Sequence, residues 1–264
     1  MSSFSNKRIV FFGTPQFSVP TLEMLIQNAF PVVGVVTQPD RPAGRGQALI
    51  PSPVKEVALR AGLPLLQSAS FRDPLALKAL AAWKPTIGVV VAYGNLLPDK
   101  ALNLFPYGVV NLHPSLLPKY RGPSPIQTAI LRGDATTGVS VMLLDEGMDS
   151  GPIYAQKRER IKKTDTARTL SLRLASVCAE LLCKFLPSIL AHKVRPEPQN
   201  EKKVTITKLL TKEDGGIDWN QSAIQVDRRV RAMIGWPGAW AEWEGANHLR
   251  RVRICILEGA PLEA

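Results

Sequence analysis

The sequence predicts an α/β fold: a doubly wound, mostly parallel sheet followed by a short C-terminal β segment. Three observations predict it. Short, near-continuous apolar runs such as TIGVVVA alternate with helical spacings over residues 8–144, and runs of that kind are strands covered on both faces. Residues 166–192 carry apolar positions at three and four spacings (Leu170, Leu174, Val177, Leu181, Leu182, Phe185), the pattern of a long amphipathic helix. Beyond it, residues 193–203 combine two prolines with mixed charge, the composition of a domain boundary.

The elements follow in order. Residues 8–12 are a β-branched and aromatic run ended by Gly13-Thr14-Pro15. Residues 17–28 have helical spacing, with Pro20 tolerated in the first turn. PVVGVVT, residues 31–37, is a second strand. Residues 52–61 form a helix with Ser52 as cap and Pro53 in its first position. Asp73-Pro74 opens another helix that runs to about Trp83. Residues 86–92 and 109–113 are strands, 124–132 a helix and 138–144 a strand. After the long helix come a turn at Asp214-Gly215-Gly216, a helix over 222–233, and strands near 239–243 and 251–257. The expected division is a first domain over residues 1–192, a linker over 193–206 and a smaller domain over 207–264.

Composition narrows the class. Of 264 residues, 45% are hydrophobic and 21% charged, which excludes overall disorder. The length suits one large domain with a smaller companion. The longest apolar stretch, around residues 87–92, falls far short of the ~20 residues that span a bilayer, so no membrane partner is expected. The apolar run after the polar N-terminus is too short for a secretory leader. Three cysteines, odd in number and without metal-ligand spacing, fit a reduced cytoplasmic protein with no metal. The net charge is +11, with 13 basic against 9 acidic residues in the first 156 positions and 20 against 13 in the rest. Such a field favours an anionic partner, nucleic acid first among them. A basic soluble protein without such a partner fits the charge equally well.

Ligands of a doubly wound sheet bind beyond the carboxyl ends of its strands. The first strand-to-helix turn, FGTPQFS, has a single glycine. A dinucleotide fingerprint needs more, so a nicotinamide dehydrogenase is disfavoured. In VNLHP, Asn111 and His113 share a strand face while Leu112 faces the core. An amide there can hold a developing oxyanion, and an imidazole can move a proton near neutral pH. DEGMDSGP follows the strand 138–144 and is expected at the same edge, where one of its carboxylates reaches the histidine and raises its pKa. A plain polar turn would have the same composition. SLLPKYRG, next after the Asn–His pair, offers backbone amides and apolar walls beside cationic groups. QPDRPAGRGQ, with two arginines, two prolines and two glycines, is too broken for a core element. It reads as a contact for a phosphate backbone or as a solvated surface loop.

Taken together, FGTP, TQPDRPAGRGQ with PSPVK, VVAYG, NLHPSLLPKYRG with PSPIQ, and GMDSGPI resemble the folate-dependent formyltransferases. These motifs stand in the family's order and reach nearly to Trp219. The PDRPAGRGQ loop points to the branch that acts on aminoacylated initiator tRNA. The resemblance implies a Rossmann-like formyltransferase sheet and a catalytic trio of Asn111, His113 and Asp149. It implies cofactor binding by Ser115, Leu116, Leu117 and Pro118, and tRNA binding by Arg41 and Arg45. The implied formyl donor is 10-formyltetrahydrofolate, without metal, and the implied acceptor is the α-amino group of initiator methionyl-tRNA, served by a monomer. Thr86 and Pro114 depart from residues more usual in that branch. The family also carries a C-terminal barrel of the oligonucleotide-binding (OB-like) type. After Trp236 only 28 residues remain, room for about three strands of ordinary length, so an incomplete barrel is expected. Other readings stand beside this one: formyl transfer to a small amine such as glycinamide ribonucleotide or an amino-sugar nucleotide, a nucleic-acid-binding module without catalysis, and a hydrolase that releases formate from the same donor.

Overall fold

The computed structural model of the chain describes residues 7–43, 48–244 and 251–259. Their elements run β1 (Ile9–Gly13), α1 (Val19–Gln27), β2 (Val32–Thr37), β3 (Arg41–Ala43), β4 (Ala48–Ile50), α2 (Pro53–Arg60), β5 (Leu65–Gln67), α3 (Pro74–Ala82), β6 (Ile87–Val91), α4 (Asp99–Leu102), β7 (Val109–His113), α5 (Pro125–Arg132), β8 (Thr136–Leu143), β9 (Ile153–Arg160), α6 (Ala167–Leu190), α7 (Ala223–Met233), β10 (Ala239–Glu244) and β11 (Arg251–Ile256). Seven strands make one sheet in the order β5-β2-β1-β6-β7-β8-β9. The first five in that order are parallel, and β8 and β9 are each antiparallel to the strand before them.

Strand alternation builds two cores, one on each side of the sheet. Ile9 and Phe11 enter the layer that holds α1 and the long helix α6, whereas Val10 and Phe12 pack on the other side with Phe71, Leu80 and Phe105. Leu170, Leu174, Leu182 and Leu186 of α6 are fully buried, each contributing about 1.5–3 kcal/mol of transfer free energy. The start of α6 is fixed by a reciprocal cap between Thr166 and Thr169 and by buried Asp165, which accepts from Arg173, the Lys162 N–H and the Thr169 hydroxyl. Burial alone would raise the Asp165 carboxyl; Arg173 and these N–H and O–H donors outweigh it and hold it below its ordinary range. The helices α2 and α3 start as their sequences require, with Ser52 and Asp73 accepting from Lys55 N and Leu75 N and a proline at the first position.

Several elements differ from expectation. β9 escapes sequence reading because YAQKRER is polar; it is an edge strand whose charges face solvent, a common protection of sheet edges. Residues 41–43 of the basic loop pair antiparallel with residues 48–50 as a small separate hairpin, β3–β4. Beyond α7, β10 and β11 pair antiparallel, and Trp240 bridges to Gly216. Val230, Met233 and Ala239 make a small core there with Leu131 of α5. The linker expected over 193–206 is not free: residues 197–208 form a strap, in which Glu197 pairs with Ile153 through two 2.8 Å bonds and Ile206 pairs with Arg121. Among the described residues, no helix is long and apolar enough to cross a membrane.

Candidate active site

β7 lies between a parallel and an antiparallel neighbour, with Asn111 opposite Val90 on one side and Met142 on the other. Asn111 and His113 are both buried and both reach one carboxylate. Asp149 Oδ1 accepts from Asn111 Nδ2 at 3.3 Å, and its Oδ2 stands 3.5 Å from His113 Nδ1. The same Oδ2 accepts the Gly122 N–H at 2.8 Å. The second ring nitrogen, His113 Nε2, lies 2.8 Å from the Tyr120 carbonyl. A carbonyl only accepts, so Nε2 carries the proton in the neutral ring and the Nδ1 lone pair faces Asp149. In the protonated ring each N–H has an acceptor.

The route by which Asp149 arrives corrects an expectation. The sequence predicts the DEGMDSGP loop at the carboxyl edge with the other ligand-binding turns, which assumes that the strand before it runs parallel. β8 is antiparallel, and its carboxyl end at Leu143 sits beside Val110, near the amino end of β7. The loop therefore doubles back to bring Asp149 to His113. Asp149 adopts a left-handed φ of 52°, a conformation aspartate tolerates better than most residues. Gly151 is forced: a Cβ there would stand 1.9 Å from the Leu143 carbonyl oxygen.

The loop after β7 supplies the other partners. Tyr120 has φ 62° and Gly122 φ 108°, and a Cβ on Gly122 would stand 2.7 Å from the Thr207 carbonyl. The Tyr120 hydroxyl donates to Asp134 at 2.7 Å; burial first, and that carboxylate second, push it well above the ordinary phenol range. Ser115 and Leu117 face inward. The Ser115 hydroxyl donates to the Lys119 carbonyl, the Leu117 N–H donates to Ser140 Oγ, and the Leu117 carbonyl accepts from Gln156. Leu116 lies against Gly138, and Pro118 is partly exposed. A cleft of about 600 Å³ opens elsewhere on the Asp149 loop, lined by Leu144, Asp145, Glu146 and Gly147 against Asp99, Leu102 and Asn103. None of residues 115–118 lines it.

Arg41 stands exposed at the start of the hairpin, its Nη2 donating to Gln38 Oε1 at 2.5 Å. Gln38 Nε2 in turn donates to the Tyr93 carbonyl in VVAYG at 3.0 Å. Asp40 anchors the hairpin base by a 2.5 Å ion pair with Lys55 and a 2.7 Å bond from Gln67. Lys55 and then Gln67 hold the Asp40 carboxyl below its ordinary range. Arg45 lies outside the described residues, as does His248. His192 stacks on Tyr107 at 4.6 Å, away from the trio. Among the described residues, no cluster of His, Cys, Asp and Glu is arranged to hold a metal ion.

Sequence reasoning missed the Tyr120 carbonyl, the Gly122 N–H and the strap residues Gln199, Thr205 and Thr207. Glycine in KYRG hints at a special backbone, but nothing in 197–208 distinguishes a strap from a linker.

Residues 7–186 match the formyl transferase family and residues 209–263 the formyl transferase C-terminal domain. A methionyl-tRNA formyltransferase of Roseiflexus sp. (strain RS-1) is 50% identical over 240 residues, covering 90% of this chain and 74% of the relative. One from Chloroflexus aurantiacus (strain ATCC 29366 / DSM 635 / J-10-fl) is 48% identical over 249 residues, covering 94% and 80%. Among solved structures, an N-formyltransferase of Helicobacter canadensis, in complex with folinic acid and dTDP-3-aminofucose, superposes with a TM-score of 0.69 at 22% identity, covering 86% of this chain and 81% of that one.

Proposed function

This chain belongs to the formyl transferase family, and from that premise we propose that it transfers a formyl group from 10-formyltetrahydrofolate to the α-amino group of initiator methionyl-tRNA. The observation that carries the chemistry is the convergence of Asn111 and His113 on Asp149. The acceptor is supported by relatives near 50% identity that are methionyl-tRNA formyltransferases.

The donor brings a formyl carbon open to attack by an amine. The cleft on the Asp149 loop fits such a ligand: about 600 Å³ lies in the range of small-molecule sites, Leu102 and Leu144 offer apolar walls, and Asp145 and Glu146 offer acceptors for ring N–H groups. Ser115, Leu116, Leu117 and Pro118, which do not line that cleft, are proposed as a second contact for the donor, held in shape by Ser140 and Gln156. Asn111 spends one amide N–H on Asp149 and keeps the second for the formyl oxygen as it gains charge. The amine bonds to the formyl carbon and the bond from that carbon to the donor nitrogen breaks. The proton lost by the amine passes by way of His113 Nδ1, beside Asp149, to that nitrogen, so tetrahydrofolate leaves neutral, while the Tyr120 carbonyl fixes the ring. Arg41 and Arg45 contact the tRNA backbone. We assign residues 1–192 to formyl transfer and 207–264 to holding tRNA, with 193–206 between them.

The test supplies the purified chain and 10-formyltetrahydrofolate with charged initiator tRNA, glycinamide ribonucleotide, an amino-sugar nucleotide, or no amine. Formylation of the charged tRNA alone is expected. Transfer only to a small amine, or formate release without any amine, overturns the assignment.

A further inference from the structure

The two loops that hold the His113 ring are joined by the 197–208 strap, and one strap side chain touches the carbonyls that frame Asp149. Gln199 Nε2 donates to the Asp149 carbonyl at 2.8 Å and to the Gly151 carbonyl at 2.7 Å. Gln199 Oε1 accepts from Arg121 Nε at 3.1 Å. These partners settle the amide orientation, because carbonyls only accept and a guanidinium only donates. Arg121 is buried and also pairs with Glu201 at 2.7 Å. The strap grips the other loop at the same time. Thr205 Oγ1 accepts the Tyr120 N–H at 2.8 Å, the Arg121 N–H bonds to the Thr205 carbonyl at 2.9 Å, and the Thr207 N–H bonds back to the Arg121 carbonyl at 2.8 Å.

We propose that Gln199 is a positioning residue for formyl transfer, holding Asp149 in its left-handed conformation so that the carboxylate meets Asn111 and His113 together. The segment between the two matched regions is thereby part of the catalytic centre's frame. This inference rests on the role given to Asp149 above.

Two variants separate positioning from folding. Gln199→Glu keeps the length and the acceptor for Arg121 but faces two carbonyl oxygens with an oxygen instead of an N–H. If Gln199 served only to satisfy Arg121, Gln199→Glu would behave as wild type. With full-length chain, 10-formyltetrahydrofolate and charged initiator tRNA, the expected result is a kcat lower by roughly 10- to 100-fold, the loss typical of small misplacements, with KM for both substrates unchanged. Gln199→Met, which lacks the donors without adding charge, carries the same expectation should the glutamate variant unfold at the assay temperature. In an Asp149→Ala background, either substitution is expected to change kcat by less than about twofold, because the two residues act as one unit. Wild-type kcat in Gln199→Glu or Gln199→Met, or losses that multiply in the double variant, overturn the proposal. Wild-type kcat in Asp149→Ala alone instead overturns the catalytic role of Asp149 on which it rests.

Discussion

The proposed catalytic centre and the basic hairpin are held in different ways. At the centre, backbone groups reach the side chains directly, the Tyr120 carbonyl at the imidazole and the Gly122 N–H at Asp149, and strap side chains brace the backbone behind them, Gln199 at the Asp149 and Gly151 carbonyls and Thr205 at the Tyr120 N–H. At the hairpin, side chains bond mainly to one another: Asp40, Lys55, Gln67 and Gln38 pin the base, and Arg41 stands exposed. Backbone anchoring beside a packed sheet leaves little freedom, which suits chemistry that is sensitive to small displacements. Side-chain anchoring of an exposed arginine suits a long-range attraction to phosphate. Substitutions at the centre should therefore move kcat, and substitutions at the hairpin should move KM for tRNA and its salt dependence.

After the histidine, the largest effect is expected from Asn111→Ala, which removes the proposed oxyanion donor. kcat should fall about 10²–10³-fold with KM for tRNA near wild type in steady-state formylation. A rise in KM alone would erase the distinction. Gly122→Ala comes next. Its φ of 108° and the Thr207 carbonyl 2.7 Å from the added Cβ force the donor to Asp149 out of place. We expect roughly 10–100-fold in kcat and a lower melting temperature, read by assay and thermal unfolding. At the hairpin, Lys55→Ala frees Asp40 and should raise KM for tRNA several-fold without touching kcat. Arg41→Ala should weaken tRNA binding least. It should reduce the slope of log affinity against log salt by about one, measured by titration at several salt concentrations.

The pH dependence sharpens the same contrast. The Asp40 pKa is depressed in the folded protein, so its anchoring is fully present above the unfolded carboxylate value and is lost only as pH falls through the lower folded value. The Arg41-dependent part of tRNA affinity should stay constant from about pH 8 to 5, whatever kcat does over that interval. Loss of that part near neutrality would place another titrating group at the hairpin.

Much of this architecture is legible in the residues because burial writes itself into periodicity. Val109–His113 and Ile87–Val91 are recognisable strands since both faces of the sheet are covered. The Ser52 and Asp73 caps announce their helices. Strand direction leaves no such trace. Gly138 to Leu144 reads the same whether parallel or antiparallel, so the loop carrying Asp149 was expected at the wrong end of the sheet. Ile153–Arg160 hides behind its own charges. At the site, alternation puts Asn111 and His113 on one face, but their proposed catalytic role, and the choice of Asp149 among the three carboxylates of its loop, rest on the family resemblance. Tyr120, Gly122 and the strap act through backbone groups or through bonds spanning about 50 to 86 positions, which no local pattern encodes.

The most direct measurement is single-turnover formylation of charged initiator tRNA by His113→Ala, at saturating tRNA and 10-formyltetrahydrofolate, beside the wild-type chain. A rate lower by about 10²–10⁴-fold with tRNA binding unchanged is the expected result. A near-wild-type rate would contradict the assignment of this site to formyl transfer.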